Sequence, residues 1–430
     1  MMKKSFIGLT GPKLNYDLIE PDPKEPAMIP MPPRLILLLD EPLDSSRETR
    51  LKKGDVVKTG ERLFLYKEST GYALSPCTGT ITAIATYSGD FGSISTYIIL
   101  ERNPKDDQDN GFSNQADSPD MDLCDAYLRS IPGALPIQQL KRRGSQIHTL
   151  VISGMDNDLM STTRQYFLLK NQMEIKRGIQ LLKQITGISK VAITIPEQMK
   201  DLSSFDGLQV YRISPVYPSA LPHLVVKNHL SITIPAGSTP EDMGICFIGV
   251  EAVVALARAM DTRQPVYDKL VTIIGKNGVR HRVRAAIGTP IHRLLKPFDL
   301  SAGDQDRVII GGPMKGFATY TLYHPVQPDM DTIIIQDRDI IPYVSDYPCI
   351  NCGKCVRICP ASIQVNLLVR FLEADLYEEA ADGHDLKSCI ECGLCGYVCT
   401  ARIPLFQYIR LGKHELLKME LAMESEADNA

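Results

Sequence analysis

The sequence has no uninterrupted apolar run of about 18 residues, so no membrane-spanning helix is expected. It carries no large excess of either charge. The formal net charge is −4, which leaves no bulk electrostatic reason for nucleic-acid binding. No Cys-x-x-Cys-His occurs, which excludes c-type haem attachment, and the eight histidines show no paired-ligand spacing. Tryptophan is absent too, but that decides nothing. A secretory leader is not expected either. Residues 1–6 include Lys3 and Lys4, in the manner of a signal-peptide n-region, but residues 7–12 are too short and too broken by Gly8, Gly11 and Pro12 to follow as its apolar core. The expectation is a cytoplasmic protein that meets a membrane, if at all, through partner subunits.

What is present is more telling. The 430 residues suffice for two to four domains. A composition of 44% hydrophobic and 23% charged residues is that of an ordinary soluble globular protein. Of eleven cysteines, eight fall between Cys349 and Cys399. In a long chain without a leader, such clustering points to metal rather than disulfides.

Residues 1–30 are rich in proline and polar groups and are expected to wrap a surface. A short apolar run follows at 34–39. Two glycine turns, Gly54 and Gly60, then flank Val56-Val57, and alternation resumes from Gly79. These short, closely spaced strands indicate a small all-β unit ending near Arg102. Residues 103–122 are acidic and poor in large apolar groups, the composition of a linker or mobile loop. Strand and helix patterns alternate over 123–265: strands at 149–152 and 190–195, helices over 164–186 and 249–260. That is the pattern of an α/β domain. Strands at 270–274, 307–310 and 332–335 and a short helix near 290–295 follow. Beyond residue 340 come the cysteines, separated by a helix with Leu367, Leu368, Phe371, Leu372 and Leu376 at helical spacing. A charged helical tail after Lys413 frays from Glu424.

The cysteines form two copies of one pattern. Cys349-x-x-Cys352-x-x-Cys355-x-x-x-Cys359-Pro360 is followed by Cys389-x-x-Cys392-x-x-Cys395-x-x-x-Cys399. This is the spacing of a bacterial-type ferredoxin with two 4Fe-4S clusters. Two-residue gaps let a turning backbone aim three thiolates at one cluster, and Gly353 and Gly393 relax the turns. The fourth cysteine of each run ligates the other cluster in such proteins. One cluster is therefore expected on Cys349, Cys352, Cys355 and Cys399, the other on Cys389, Cys392, Cys395 and Cys359. Zinc also accepts four thiolates, but from pairs of Cys-x-x-Cys units, and it explains a repeated triple run poorly. Thr400 stands where a proline usually follows the fourth cysteine.

The remaining candidates have plainer readings. Cys77, Cys124 and Cys246 are isolated and fit buried positions. His292 fits a surface or structural role. The glycine loop Gly311-Gly312-Pro313-Met314-Lys315-Gly316 could approach a phosphate or cofactor, or could be a tight turn packing one domain on the next.

Together these segments resemble one family, RnfC, a subunit of the Rnf electron-transport complex. The hairpin at 53–57 with Ser75-Pro76 and Thr78-Gly79 is similar to the family's barrel-sandwich domain. Residues 287–295, leading into the 310–318 loop, resemble its β-grasp section. The two cysteine runs with Ile403-Pro404-Leu405 and Gln407-Tyr408 resemble its ferredoxin section. The resemblance implies a multidomain α/β and β fold. Its parts are a barrel-sandwich hybrid at 1–102, an acidic linker at 103–122, and an α/β domain like the flavin subunit of complex I at 123–265. A β-grasp (SLBB-like) section at 266–340, a two-cluster ferredoxin domain at 341–412 and a charged tail at 413–430 complete it.

The family implies a membrane-bound complex coupling electron flow to ion translocation, with this subunit peripheral on the cytoplasmic face. Its partners would be other subunits and ferredoxin or another redox protein, with no nucleic acid. Many members bind FMN and exchange hydride with NAD(H), which needs a glycine-rich loop for the flavin phosphate. Here the corresponding stretch, 130–137, keeps only Gly133. The acidic segment at 153–158 lacks Glu-Cys-Glu, and residues 217–221 lack Gly-Ala-Glu. These departures fall on the cofactor side of one domain, and the expectation is a member that has lost the flavin and nicotinamide site but kept its relay. The alternative is a flavin-containing NADH- or ferredoxin-linked reductase of similar layout, as in cobalamin reductases. A lipoyl-type carrier is disfavoured, because the hairpin tip has no attachment lysine in Met-Lys-Met or Asp-Lys-Ala.

Overall fold

A computed structural model describes residues 12–428 apart from 143–145, 200–204, 206 and 346. The start of the chain, 1–11, where no leader was expected, lies outside the described residues. The chain divides into two compact units. One comprises Tyr16–Pro215 with Pro240–Asp339, the other Met1–Asn15, Val216–Thr239 and Ile340–Ala430.

The larger unit begins with β structure. Strands Arg34–Leu39, Ile94–Arg102, Gly79–Ser88 and Val56–Val57 form one antiparallel sheet, in that spatial order. Alternate residues of the first strand, Leu35, Leu37 and Leu39, are buried on its inner face, as the period of two requires. Gly60 has φ +88°, which only glycine adopts freely, and its N–H donates to the Ser75 carbonyl at 2.8 Å.

A four-stranded parallel sheet follows, ordered Gln209–Ile213, Lys190–Pro196, Thr149–Ser153, Ile245–Gly249. All of Thr149–Ser153 is buried, as expected for a central parallel strand covered on both faces. The helical pattern over 164–186 resolves into two helices, Thr163–Lys170 and Gln172–Thr186. They part at Asn171, whose backbone leaves helical geometry and whose amide donates to Glu174 at 2.9 Å. Helix Val250–Thr262 packs closely on the second of these. A Cβ at Gly178 would lie 2.3 Å from the Val253 carbonyl oxygen, so the approach needs glycine.

A six-stranded mixed sheet completes the unit, ordered Ala27–Met28, Arg280–Ala286, Asp268–Ile274, Thr332–Gln336, Arg307–Ile310, Phe317–Thr319. Part of the expected N-terminal wrap thus becomes an edge strand, paired through Ala27 with Val283. Within the expected acidic linker, Phe112 is 1% exposed and packs edge-on to Tyr127. Asp106 and the Asp107 carbonyl accept from the Thr78 hydroxyl at 3.0 and 2.7 Å. The segment is fastened by the buried Phe112 ring and by these hydrogen bonds.

Lys269 is fully buried in this unit. Its ammonium meets the Glu251 carboxylate and, at 2.7 Å, Asp331. Glu251 also accepts from the Leu270 N–H at 3.1 Å, and Asp331 lies 3.6 Å from the Arg164 guanidinium. Burial opposes ionisation of Asp331, but the charges of Lys269 and Arg164 outweigh it and hold its pKa below the usual value. Burial likewise opposes the charge on Lys269, and the two carboxylates outweigh it and raise its pKa. Asp331 therefore contributes stability at neutral pH that is lost as the pH falls below the ordinary aspartate range and through its lowered folded value. Lys269→Met should lower unfolding stability by about 3–5 kcal/mol, because buried Glu251 and partly buried Asp331 lose their shared cation. Urea unfolding followed by circular dichroism tests this, and an unchanged midpoint would mean that the triad is not ionised.

Candidate metal centre

The two cysteine runs fold alike, forty residues apart. In the first, Asn351 and Gly353 take left-handed φ values of 54° and 68° before the short helix Lys354–Ile358. In the second, Glu391 and Gly393 do so at 52° and 74° before Leu394–Val398. Each Cys-x-x-Cys gap is thus a tight turn that brings its thiols to one side. The fourth cysteines, Cys359 and Cys399, are both extended, with ψ 119° and 112°. Three residues on, Ser362 and Arg402 are again left-handed, and each donates its N–H to the preceding fourth cysteine's carbonyl at 3.2 Å. Thr400 therefore preserves the turn that Pro360 makes in the first run.

Helices Val365–Glu373 and Leu405–Asp428 follow the two runs. Leu368 and Leu372 face the core as expected, joined by Val365 and Val369. Leu376 lies beyond the helix end and is exposed, a departure from the expected apolar stripe. The second helix passes the expected tail boundary at Lys413 without a break. Leu416 is buried, and Lys413 donates to the Cys389 carbonyl at 2.6 Å and to Glu391 at 2.8 Å.

Cys349, Cys352, Cys355 and Cys399 line a single small cavity with Gly353, Asn366 and Ile403. The Cys359 thiol is close enough to Cys395 to help raise its pKa, after burial and together with Cys389 and Cys392. Among the described residues, no three His, Cys, Asp or Glu side chains converge on one ion. The donor set is all thiol, with backbone N–H groups and a hydroxyl beside it. The Thr400 hydroxyl lies 3.4 Å from Cys352 Sγ and, with the Lys354 N–H, lowers that thiol's pKa. Burial pushes Cys389 up to about 11, against the Lys413 charge and the Glu391 N–H, 3.4 Å from its sulfur. Soft thiolates with N–H donors at their sulfurs suit iron–sulfur clusters.

The smaller unit also contains Val216–Thr239, which the sequence pattern assigns to the α/β domain. The Tyr217 hydroxyl donates to the Cys392 carbonyl at 2.7 Å, and the Gly237 N–H to the Lys387 carbonyl at 3.3 Å. His223, Lys227, Ile234, Pro360, Lys387 and Ser388 line a cavity there. No spacing in the sequence announces this association. The three departures from the flavin pattern accordingly do not share one unit: 130–137 and 153–158 lie in the larger, 217–221 in the smaller.

The glycine loop at 311–316 is a packing turn around an internal anion. The Asp158 carboxylate accepts from the Met314 N–H at 3.2 Å, the Lys315 N–H at 2.8 Å and the Leu159 N–H at 2.7 Å. A Cβ at Gly312 would lie 2.1 Å from Asp158 Cγ, so the loop requires glycine there. Burial raises the Asp158 pKa despite those donors. Asp156, also buried, accepts from Ser161, the Arg164 N–H and Gln165. Gly133, with φ +87°, donates its N–H to the Pro328 carbonyl at 2.7 Å. Cys77, Cys124 and Cys246 are buried, which raises their pKa values to about 11, 12 and 12. His292 is half-buried against Tyr323, a structural placement.

Residues 348–403 match the family model described as a 4Fe-4S dicluster domain. The RnfC subunit of the ion-translocating oxidoreductase complex of Pseudomonas aeruginosa is 34% identical over 286 residues, 64% of this chain and 37% of that protein. The protein of the same name from Edwardsiella ictaluri is 29% identical over 418 residues, 91% of this chain and 52% of that one. The Yersinia enterocolitica protein, also so named, is 29% identical over 422 residues, 92% and 60% of the two lengths. The chain thus spans 37% to 60% of these curated relatives. Among solved structures, a chain of an NAD+-reducing [NiFe]-hydrogenase in the H2-reduced state aligns with TM-score 0.44 and 12% identity. It covers 63% of this chain and 59% of that one, a likeness too loose to carry an argument.

Asp158→Ala strips three backbone N–H groups of their acceptor and should cost about 2–3 kcal/mol in unfolding stability, with Asp158→Asn intermediate. A thermal melt compares the three proteins. Equal melting would show that the loop holds itself without the carboxylate.

Proposed function

Since the chain is homologous to RnfC proteins of ion-translocating oxidoreductase complexes and contains a 4Fe-4S dicluster domain, we propose that it is the electron-transfer subunit of such a complex. The observation that carries this reading is the cavity that Cys399 of the second run shares with Cys349, Cys352 and Cys355 of the first. On this reading Cys349, Cys352, Cys355 and Cys399 hold one cluster, and Cys389, Cys392, Cys395 and Cys359 the other. The clusters, when bound, supply one-electron chemistry. The chain's own residues hold them, limit their solvation and direct N–H and hydroxyl dipoles at sulfur, which sets potential. Among the described residues no helix is long and apolar enough to cross a membrane. The proposed place is therefore peripheral, on the cytoplasmic face, bound to other subunits and receiving electrons from, or giving them to, a redox protein.

The relay works without a flavin or nicotinamide site of its own. Supporting this, the Met314 and Lys315 N–H groups of the 311–316 loop are engaged by Asp158 and the Gly133 N–H by Pro328, so these groups are not offered to a phosphate. Anaerobic visible spectroscopy of the reconstituted protein tests the reading. NADH should leave the broad cluster absorption unchanged and dithionite should bleach it. Bleaching by NADH within seconds would overturn the relay in favour of a flavin-dependent reductase.

The ligand sets have their own test. Cys349→Ala and Cys399→Ala should each leave about half the iron and the same residual electron paramagnetic resonance signal, while Cys359→Ala leaves the other signal. If Cys349→Ala and Cys359→Ala share one residual signal instead, the fourth cysteines do not cross.

A further inference from the structure

The cavity of the smaller unit beside the second cysteine run measures 230 Å³. One chain segment lines it with His223, Lys227, Thr233 and Ser238, another with Lys387 and Ser388. Three of these side chains can carry positive charge and three carry hydroxyls, whereas among the described residues no acidic side chain lines it. The carboxylates next to it are already engaged: Glu420 meets Lys387 at 2.9 Å, and Glu391 is held by Lys413 at 2.8 Å. The two segments are tied together, since the Gly237 N–H donates to the Lys387 carbonyl at 3.3 Å. The backbone that presents Lys227 is unusual. A single α-turn, Pro222–Val225, widens into a π-helix at Val226–Leu230, and Ser231 closes it in the left-handed region at φ 56°. Both forms cost free energy that an α-helix would not, and short π segments recur at functional sites.

We propose that this cavity binds a small phosphorylated anion and that the bound charge tunes the neighbouring cluster. Two ammoniums, an imidazole and three hydroxyls are point donors that suit the several oxygens of a tetrahedral phosphoryl group. No guanidinium fork among the described residues lines the cavity to select a planar carboxylate. Leu224, Ile234 and Ile390 supply an apolar wall for a short carbon body. The volume lies below the roughly 300–1,000 Å³ of sites for drug-sized ligands, which excludes a dinucleotide. Pro360 and Ile390 both line the cavity, and each directly follows a cysteine, Cys359 and Cys389, that the relay reading gives to one cluster. The tuning rests on that reading. A bound anion opposes the arrival of an electron there, so it lowers that cluster's potential. By linkage, reduction of the cluster weakens the anion's hold.

Isothermal titration calorimetry of the reconstituted full chain with glycerol phosphate, at constant ionic strength, tests the site. Binding should saturate at one ligand per chain. Lys227→Gln should weaken it about tenfold, because an exposed side chain can be neutralised without unfolding the unit. Glu420→Gln should tighten it by releasing Lys387, and Lys418→Gln, on the tail helix, should leave it unchanged. A redox titration followed by electron paramagnetic resonance, with and without the ligand, should move one of the two cluster signals to lower potential, and move neither in Lys227→Gln. Heat that does not saturate, or that Lys227→Gln leaves unaltered, overturns the proposal. Saturable binding with both potentials unmoved overturns it as well. So does capture by phosphatidylglycerol vesicles that glycerol phosphate does not displace, since that gives the cavity to a lipid headgroup. The relay itself is decided separately, by the response of the clusters to NADH and dithionite.

Discussion

A buried ammonium cannot persist without anions, and that requirement organises the larger unit. Lys269 stands on strand Asp268–Ile274, Glu251 on helix Val250–Thr262, and Asp331 at the entry to strand Thr332–Gln336. Arg164, on helix Thr163–Lys170, reaches the same Asp331. One charge cluster therefore fixes two helices of the parallel sheet against two strands of the mixed sheet. Apolar packing could hold those elements in several neighbouring registers, whereas a desolvated cation accepts only arrangements that bring both carboxylates to it.

The smaller unit solves a different problem, that of making one fold twice from non-identical sequence. Its two runs share left-handed turns, short helices and extended fourth cysteines. The residues in the left-handed seats differ: Asn351 against Glu391, Ser362 against Arg402. The turns are thus held by the surrounding hydrogen bonds, such as the paired 3.2 Å bonds to the Cys359 and Cys399 carbonyls, rather than by residue identity alone.

Much of this was legible from the chain. Strand patterns at 149–152, 190–195 and 332–335 gave elements within a residue or two, because continuous β-branched and aliphatic runs have few other uses. Spacing alone brought out the cysteines. Four things escaped. The edge strands Ala27–Met28 and Phe317–Thr319 are too short to carry a period. Phe112 was hidden by the acidic residues around it, since composition averages away a single anchor. The association of Val216–Thr239 with the cysteine unit depends on Tyr217 reaching a backbone carbonyl 175 residues distant, which no local pattern encodes. The glycine loop was recognisable as a loop, but the carboxylate of Asp158 filling it was not, because its partner lies 156 residues away.

Thr400 is a small difference with an energetic consequence. A duplicated site with identical halves would give an electron two resting places of equal energy and no reason to prefer either. At the first run the chain spends a proline after the fourth cysteine, and a proline offers sulfur nothing. At the second it places a hydroxyl 3.4 Å from the Cys352 sulfur across the repeat. Cys389 of the second run meets the Glu391 N–H instead, so on the proposed relay the two halves of the repeat would hold their clusters at unequal potentials rather than as two equal wells.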